Sequence, residues 1–516
     1  MDFRPTGIDQ SFSLDALFEL DPIYFEQKGD DLLFYSKKMR GVFSCLKKTK
    51  ILDAPLHFHP IFYHGKPYAA LIDLNSHKYE DVLHIETNSD QSNIFAMSAT
   101  SIFNLNEEKK QIYTTHLLLG IKLHPTKNEL LVHEADPHYS PFEKSILKKL
   151  DIKTHRVEVI FDGYACVTSY EFEDDRVVFF TDVDPKLTEK GLDPFKVSPI
   201  GLKRSLIVPQ GSLLVTTKDG VDVLTLVADQ IEVFESELTS IQELFFYQNT
   251  IFVVGKTCSS PFGIYKVELE TKSLIPMTLK NGDGNSYIVS TLEKFHQNGW
   301  MINDPMSCSQ VIIRIHGGPI SHVENIPTAE TLFYTKQGFC LIYPNYIGST
   351  GYGRAHRIGL IGNYGIKDVE NVVSLVQNLA KEGTPLRKII MKGKSSAGLT
   401  ALLAASKVEL LGLCIYCPVT TNDPNDKELA YLFPENFEPF DLITTCKTPM
   451  IVFQGDKDTL VPRKHTDCFI EEVKKKNNKV TYHVLQGEGH SIKKEAEKWC
   501  LEQEMLFFND QLLSKN

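Results

Sequence analysis

Ser395, Asp458 and His490 have the types and the chain order that nucleophilic acyl transfer needs. A serine hydroxyl attacks a carbonyl only when a base takes its proton, and the base works best when an acid fixes its tautomer. Ser395 lies in Gly393-Lys394-Ser395-Ser396-Ala397-Gly398, Asp458 in Gly455-Asp456-Lys457-Asp458-Thr459-Leu460-Val461-Pro462, and His490 in Gly487-Glu488-Gly489-His490. A fourth stretch, His316-Gly317-Gly318-Pro319, has the glycines that let backbone N–H groups approach a developing oxyanion. The amides of Gly318 (or Gly317) and Ser396 are the candidate donors.

Each of these stretches follows an apolar, strand-like run. Val311 to Ile315 precedes the glycine loop, Lys388 to Lys392 precedes the serine, and Met450 to Gln454 precedes the acid. Val480 to Leu485 precedes the histidine. A serine on a tight strand-to-helix turn projects from the sheet edge, and the run Leu399 to Ser406 after it is helix-like. The order Ser, Asp, His, with each residue at the carboxyl end of a predicted strand, is that of an α/β-hydrolase. Predicted strands alternate with helices such as Asp368–Lys381, whose Val369, Val372, Val373, Val376 and Leu379 recur at three- and four-residue spacing. The last helix is expected at about Lys494–Leu513, carrying Trp499, Met505, Leu506 and Phe508. This alternation argues a mostly parallel sheet covered on both faces.

Competing assignments exist within each stretch. Ser396 could be the nucleophile, but Lys394 would then stand where a glycine is wanted; with Ser395 that position is Gly393. Asp456 competes with Asp458, although Asp at such a position often shapes the turn itself. His465 and His483 compete with His490, but one begins a predicted helix and the other sits within a predicted strand.

From about Asp283 onward the chain resembles the catalytic domain of the prolyl oligopeptidase family, in its acylaminoacyl-peptidase-like branch. The resemblance is carried by the four stretches above, by Asn345-Tyr346-Ile347-Gly348-Ser349-Thr350-Gly351-Tyr352-Gly353-Arg354, and by Gly362-Asn363-Tyr364-Gly365 with Asp368-Val369-Glu370. It implies serine peptidase chemistry on short peptides or acyl-peptides. It also implies that His316, Tyr346 and Arg354 are candidate substrate contacts. The chain departs from the family where Ile347 replaces Arg, Tyr364 replaces Trp, Ala397 replaces the first of two glycines and Ser491 replaces glycine. Lys394 stands where a small residue is common. The departures touch no triad member and bear on substrate preference.

With 516 residues, two or more domains are expected. The net charge is −11, from 55 basic and 66 acidic residues, which disfavours a nucleic-acid partner. No run of eighteen apolar residues occurs, so no membrane span is expected. Met1 to Pro5 lacks the apolar core of a signal peptide, and a cytoplasmic location is expected. The ten cysteines are scattered and expected to be reduced. Cys414-Ile415-Tyr416-Cys417 has metal-like spacing, but residues three apart on a strand face opposite ways, so no metal is expected on the pair. No cofactor is expected either.

The first half reads as strands with few sustained helical periods, including Glu129–Glu134, Arg156–Phe161, Ser212–Thr217 and Thr250–Val254. Three segments share an apolar-acidic-apolar-polar-hydroxyl pattern: Ile72 to Ser76, Leu150 to Thr154, and Val267 to Thr271. Their spacing falls at multiples of roughly 40 residues, the period of a four-stranded propeller blade. Ser-Pro-Phe precedes the second and third, at Ser140 to Phe142 and Ser260 to Phe262. The expected fold is therefore an all-β propeller of about seven blades over residues 21–282, followed by an α/β-hydrolase domain over 283–516. Residues 1–20 are expected to pack on the latter, as the resemblance implies.

The expected reaction is acyl transfer to water: His490 takes the proton of Ser395, Asp458 holds the imidazole, and the propeller admits short peptides. The same triad would serve an esterase, an acyltransferase or a peptide cyclase. A scaffold with an inactive hydrolase domain is the reading from another class, and a homo-oligomer is an open alternative to a monomer.

Overall fold

The computed structural model describes isolated strands between residues 23 and 104 and most of the chain from 110 to 513. Residues 1–22, 182–201 and 277–288 lie outside the described residues, as do shorter stretches. The expected packing of residues 1–20 and the junction near 282 fall there, as do Ile72 to Ser76 and both Ser-Pro-Phe repeats.

Before residue 277 the described strands form five four-stranded and two two-stranded antiparallel sheets. Within each four-stranded sheet the strands pair in chain order, as hairpins joined by short turns dictate. Successive sheets touch through their first strands: Ile23–Lys28 lies against Phe62–Tyr63, His84–Thr87 against Leu118–Leu123, and Leu202–Val208 against Ser240–Tyr247. Small sheets stacked through their inner strands are the blades of a propeller. The repeated pattern has a structural meaning. Leu150 to Thr154 and Val267 to Thr271 each end the third strand of their sheet, Ser145–Asp151 and Gly263–Glu268, and turn into the fourth. At the first of them the Asp151 carboxylate accepts the N–H groups of Lys153 (3.0 Å) and Thr154 (2.8 Å), closing the turn.

The second half forms one eight-stranded sheet. Its strands are β1 (Val289–Thr291), β2 (Gly299–Ile302), β3 (Gln310–Ile315), β4 (Phe339–Pro344), β5 (Ile389–Lys394), β6 (Gly412–Tyr416), β7 (Met450–Gly455) and β8 (Val480–Leu485). Their spatial order is β1-β2-β4-β3-β5-β6-β7-β8, antiparallel through β1, β2 and β4 and parallel from there to β8. Helices α1 (Ala329–Lys336), α2 (Arg354–Ile358), α3 (Lys367–Lys381), α4 (Ser396–Lys407), α5 (Phe440–Ile443), α6 (Arg463–Lys476) and α7 (Lys494–Leu513) connect and cover it.

The period of two along each strand divides the core into two layers. Ile313, Met391 and Val452 face one layer with α3, α4 and α6. Ile312, Ile390 and Ile451 face the other with α1 and α7. In α3 the buried set is Val369, Val372, Leu375, Val376 and Leu379, while Val373 is only partly covered. Burying each such side chain contributes about 1.5–3 kcal/mol. Helix α4 is buried on all sides over its first ten residues, as befits a helix wedged between the sheet and α3. Helix α7 covers the sheet with one face. Trp499 and Leu506 are exposed, and the covered face is Cys500, Leu501, Phe507 and Phe508 with a fully buried Glu504.

The two domains meet at the carboxyl edge of the sheet. Gly220, at the tip of a propeller hairpin with φ +77, packs so closely on Tyr352 and Trp300 that a Cβ would lie 2.5 Å from the Tyr352 hydroxyl. The Ser240 hydroxyl donates to Glu324 at 2.8 Å. No helix among the described residues is long and apolar enough to cross a membrane.

Candidate active site

Ser395 stands between β5 and α4 with φ 59 and ψ −128, outside the regions that a side-chain-bearing residue favours. The surroundings over-determine it. Its N–H donates to the Tyr416 carbonyl (2.9 Å), and its carbonyl accepts from Gly398 (2.9 Å) and Val419 (3.2 Å). Tight packing explains the flanking glycines. A Cβ on Gly393 would lie 2.3 Å from the Ala397 carbonyl, and one on Gly398 would lie 2.8 Å from Pro418. Ala397 itself is fully buried, so its methyl group fits where a glycine is more usual.

Asp458 follows β7 and is held at both oxygens. Oδ1 accepts the N–H groups of Leu460 (3.0 Å) and Val461 (2.9 Å). Oδ2 accepts from His490 Nδ1 at 2.8 Å and from Gln454 Nε2 at 3.3 Å. Burial alone would raise this carboxyl; hydrogen bonds from His490 and Val461 outweigh it and hold the group below its ordinary range. The histidine loop crosses directly over the end of β7. A Cβ on Gly455 would meet the Glu488 carbonyl at 2.5 Å, and Lys457 donates to that same carbonyl at 2.9 Å. Asp456 closes the loop by accepting the Gly487 N–H at 2.6 Å. His483 instead stacks on Phe453 and meets Trp499 edge-on, while His465 lies in α6.

The glycine loop after β3 runs beside the serine. A Cβ on Gly317 would lie 3.0 Å from the Lys394 carbonyl, 3.6 Å from Ser395 Cβ and 3.7 Å from Ser396 Oγ. Gly318 has φ +127, which only glycine adopts readily. His316 is buried, and burial lowers its pKa to about 4, so the ring is neutral. Its Nδ1 meets the Gly317 carbonyl at 2.9 Å and therefore carries the proton; Nε2 accepts from the Ser349 hydroxyl at 2.8 Å. Tyr346 stacks on that ring (centroids 4.4 Å apart) and donates to the His316 carbonyl at 2.8 Å. Asn345 accepts the Val323 N–H at 2.7 Å. The segment 345–352 thus holds the glycine loop in place. Arg354, one turn further on, donates to the Glu143 carbonyl of the propeller at 3.1 Å.

Sequence reasoning assigned no role at the site to three sets of residues. Tyr364 donates to the Ser396 carbonyl at 2.7 Å, and Asp368 accepts from Thr400 (2.6 Å) and from the Gly365 N–H (2.7 Å). Burial raises the Asp368 pKa to about 6. The motif Gly362 to Asp368 therefore props the first turn of α4. Beneath the serine, Lys392 is buried between Glu330 (2.6 Å) and Glu504 (2.8 Å), with its Nζ over the rings of Tyr334 and Tyr416. Lys392 stands three positions before Ser395, but its partners are distant in sequence, and no local pattern announces them.

The third is Cys417. Cys414 and Cys417 do part company, with Cys414 packed among Tyr416, Ile451 and Phe453 in the core. Cys417 lies just past β6, between the strands that carry Ser395 and Asp458, with φ 42. Its sulfur, an Asp458 oxygen and a His490 nitrogen all lie within 4.8 Å of one another. Burial, reinforced by the Asp458 carboxylate, pushes its thiol up to about 12.

Residues 327–411 and 418–516 match the Prolyl oligopeptidase family. The mouse acylamino-acid-releasing enzyme (Mus musculus) is 28% identical over 213 residues, 35% of this chain and 28% of its own length. The matched stretch thus spans less than a third of that curated relative. Among solved structures, a puromycin hydrolase superposes with a TM-score of 0.71 at 16% identity, covering 95% of this chain and 86% of its own. A chain described in a study of two prolyl endopeptidases gives 0.74 at 14% identity, covering 96% and 91%. These likenesses extend over both domains and show the two-domain fold expected from the sequence, a propeller followed by an α/β-hydrolase.

Proposed function

We infer that this chain, whose C-terminal part carries a prolyl oligopeptidase family domain, is a serine peptidase acting on short peptides. Ser395 is the nucleophile, His490 the general base and Asp458 the residue that holds the imidazole. The observation that supports this reading most is the 2.8 Å hydrogen bond from His490 Nδ1 to a buried, ionised Asp458 at the sheet edge where Ser395 is held in a strained turn.

These roles imply the following steps. With Nδ1 donating to Asp458, Nε2 is the free base that takes the Ser395 proton as Oγ attacks the substrate carbonyl. The amides of Ser396 and Gly318 (or Gly317) receive the oxyanion, each worth about 3–4 kcal/mol of transition-state stabilisation. His490 returns the proton to the leaving amine, and water then cleaves the acyl-enzyme by the same route in reverse. The propeller, with proposed bounds 21–282, limits access to the serine; the close contact of Gly220 with Tyr352 of the hydrolase domain supports this placement. Long or folded substrates are excluded, and short peptides with free or acylated N-termini are admitted.

A fluorophosphonate probe tests the nucleophile: the wild-type chain should label and Ser395→Ala should not. A panel of aminoacyl, acyl-aminoacyl and simple ester substrates tests the class. Turnover of the esters alone would overturn the peptidase assignment in favour of an esterase.

A further inference from the structure

We propose that Cys417, Asp458 and His490 form a binding site for a thiophilic divalent cation, Zn2+ by chemical class, and that its occupation reversibly silences the enzyme. Three donors of different kinds converge from three separate strand ends: a thiol after β6, a carboxylate after β7 and an imidazole after β8. Their ligating atoms all lie within 4.8 Å of one another, with Cys417 and Asp458 buried and His490 partly open to solvent. Sulfur, nitrogen and oxygen around one point suit a tetrahedral zinc ion; with bonds of about 2.0–2.3 Å it would open the 2.8 Å hydrogen bond between His490 and Asp458 and draw the cysteine sulfur inward. Hard cations such as Mg2+ and Ca2+, which want oxygen ligands, do not match this donor set.

The position of Cys417 carries the argument beyond a chance grouping. It is a side-chain-bearing residue in the left-handed region, at φ 42, a conformation that is costly unless the surroundings impose it. Its N–H is fixed on the Phe453 carbonyl at 2.8 Å, in the strand that carries Asp458. That bond holds the thiol beside the acid and base of the site. The cation would enter from the exposed side of His490, displace the thiol proton to solvent and bind the resulting thiolate. An imidazole and a carboxylate engaged with the cation can no longer accept and stabilise the proton of Ser395, so turnover stops until the metal leaves. Only the inhibition arm of the test rests on the peptidase reading.

The binding arm is a Co2+ titration of the full chain. One equivalent should produce a thiolate-to-cobalt absorption band, and Cys417→Ser should abolish it. A band that persists in Cys417→Ser and Cys417→Ala would overturn the site. In the inhibition arm, each protein is normalised to its own rate without added metal. Zn2+ should inhibit the wild type, with Mg2+ and Ca2+ ineffective at the same concentration. Either cysteine variant should need at least about tenfold more Zn2+ for the same inhibition. Equal sensitivity of all three proteins would refute the role of Cys417. A chain without turnover that still gives the cobalt band would keep the site and sink the peptidase reading alone.

Discussion

Tyr364 donates its hydroxyl to the carbonyl of Ser396 at 2.7 Å, from a position thirty-two residues earlier in the chain. Both residues are buried, and the bond anchors the residue that directly follows the proposed nucleophile. Tyr364→Phe removes the side-chain donor from a carbonyl that also heads the backbone ladder of α4 and lies 3.5 Å from the Thr400 hydroxyl. Loss of one such hydrogen bond costs about 0.5–1.5 kcal/mol. We expect kcat to fall about tenfold with KM little changed, since the Ser396 amide shifts relative to the oxyanion. An unchanged kcat would show that the helix start is held without Tyr364.

Asp458→Asn exchanges an acceptor for a group that can present N–H to His490. The imidazole then turns its proton toward Ser395 and cannot act as base. Such a change of tautomer lowers kcat by about 10⁴. Steady-state kinetics on the best peptide substrate would measure it, and a loss smaller than tenfold would remove Asp458 from the proposed role.

His316 makes stability depend on acid. Burial lowers its folded pKa from the ordinary 6.5 to about 4, so below pH 6.5 the unfolded chain binds a proton that the folded chain refuses. The stability contribution is complete above pH 6.5 and is lost as pH falls toward 4, by about 3 kcal/mol in total. His316→Gln removes this dependence. Urea unfolding at pH 7, 6 and 5 should show the gap between wild type and variant narrowing with acid; parallel curves would contradict the assignment of a neutral buried ring.

Lys392 is a buried cation between two carboxylates. Lys392→Met leaves Glu504, fully buried, without its counter-ion and should cost about 3–5 kcal/mol. Adding Glu504→Leu to that variant removes the uncompensated charge and should recover part of the loss. Urea midpoints of the single and double variants form the required cycle. An additive double variant would mean that the two charges are not coupled.

Much of the architecture was legible in the sequence because strands and helices announce themselves by local period. The runs Val311 to Ile315 and Met450 to Gln454 are buried strands, and the alternation in the second half is a largely parallel sheet. The pattern at Leu150 to Thr154 and Val267 to Thr271 marks corresponding corners of two blades. In helix α7 the sequence placed the element but did not mark its covered face. Its exposed Trp499 and Leu506 look as apolar as its buried Leu501 and Phe508, and only the neighbours decide which face is covered.

At the site, the sequence by itself determined the residue types, their order, and the glycines without which the turns cannot close. Gly393, Gly398 and Gly455 each meet backbone or proline atoms at a distance that no Cβ tolerates. Tertiary structure alone decided which side chains meet. It set His490 on Asp458, Tyr364 under Ser396, Lys392 between Glu330 and Glu504, and Cys417 beside the acid and the base. The physical reason is range. Backbone strain and hydrophobic period act between neighbours in the chain and leave a trace in the order of residues, whereas a hydrogen bond or a charge pair between distant segments depends on how the whole sheet brings its strand ends together.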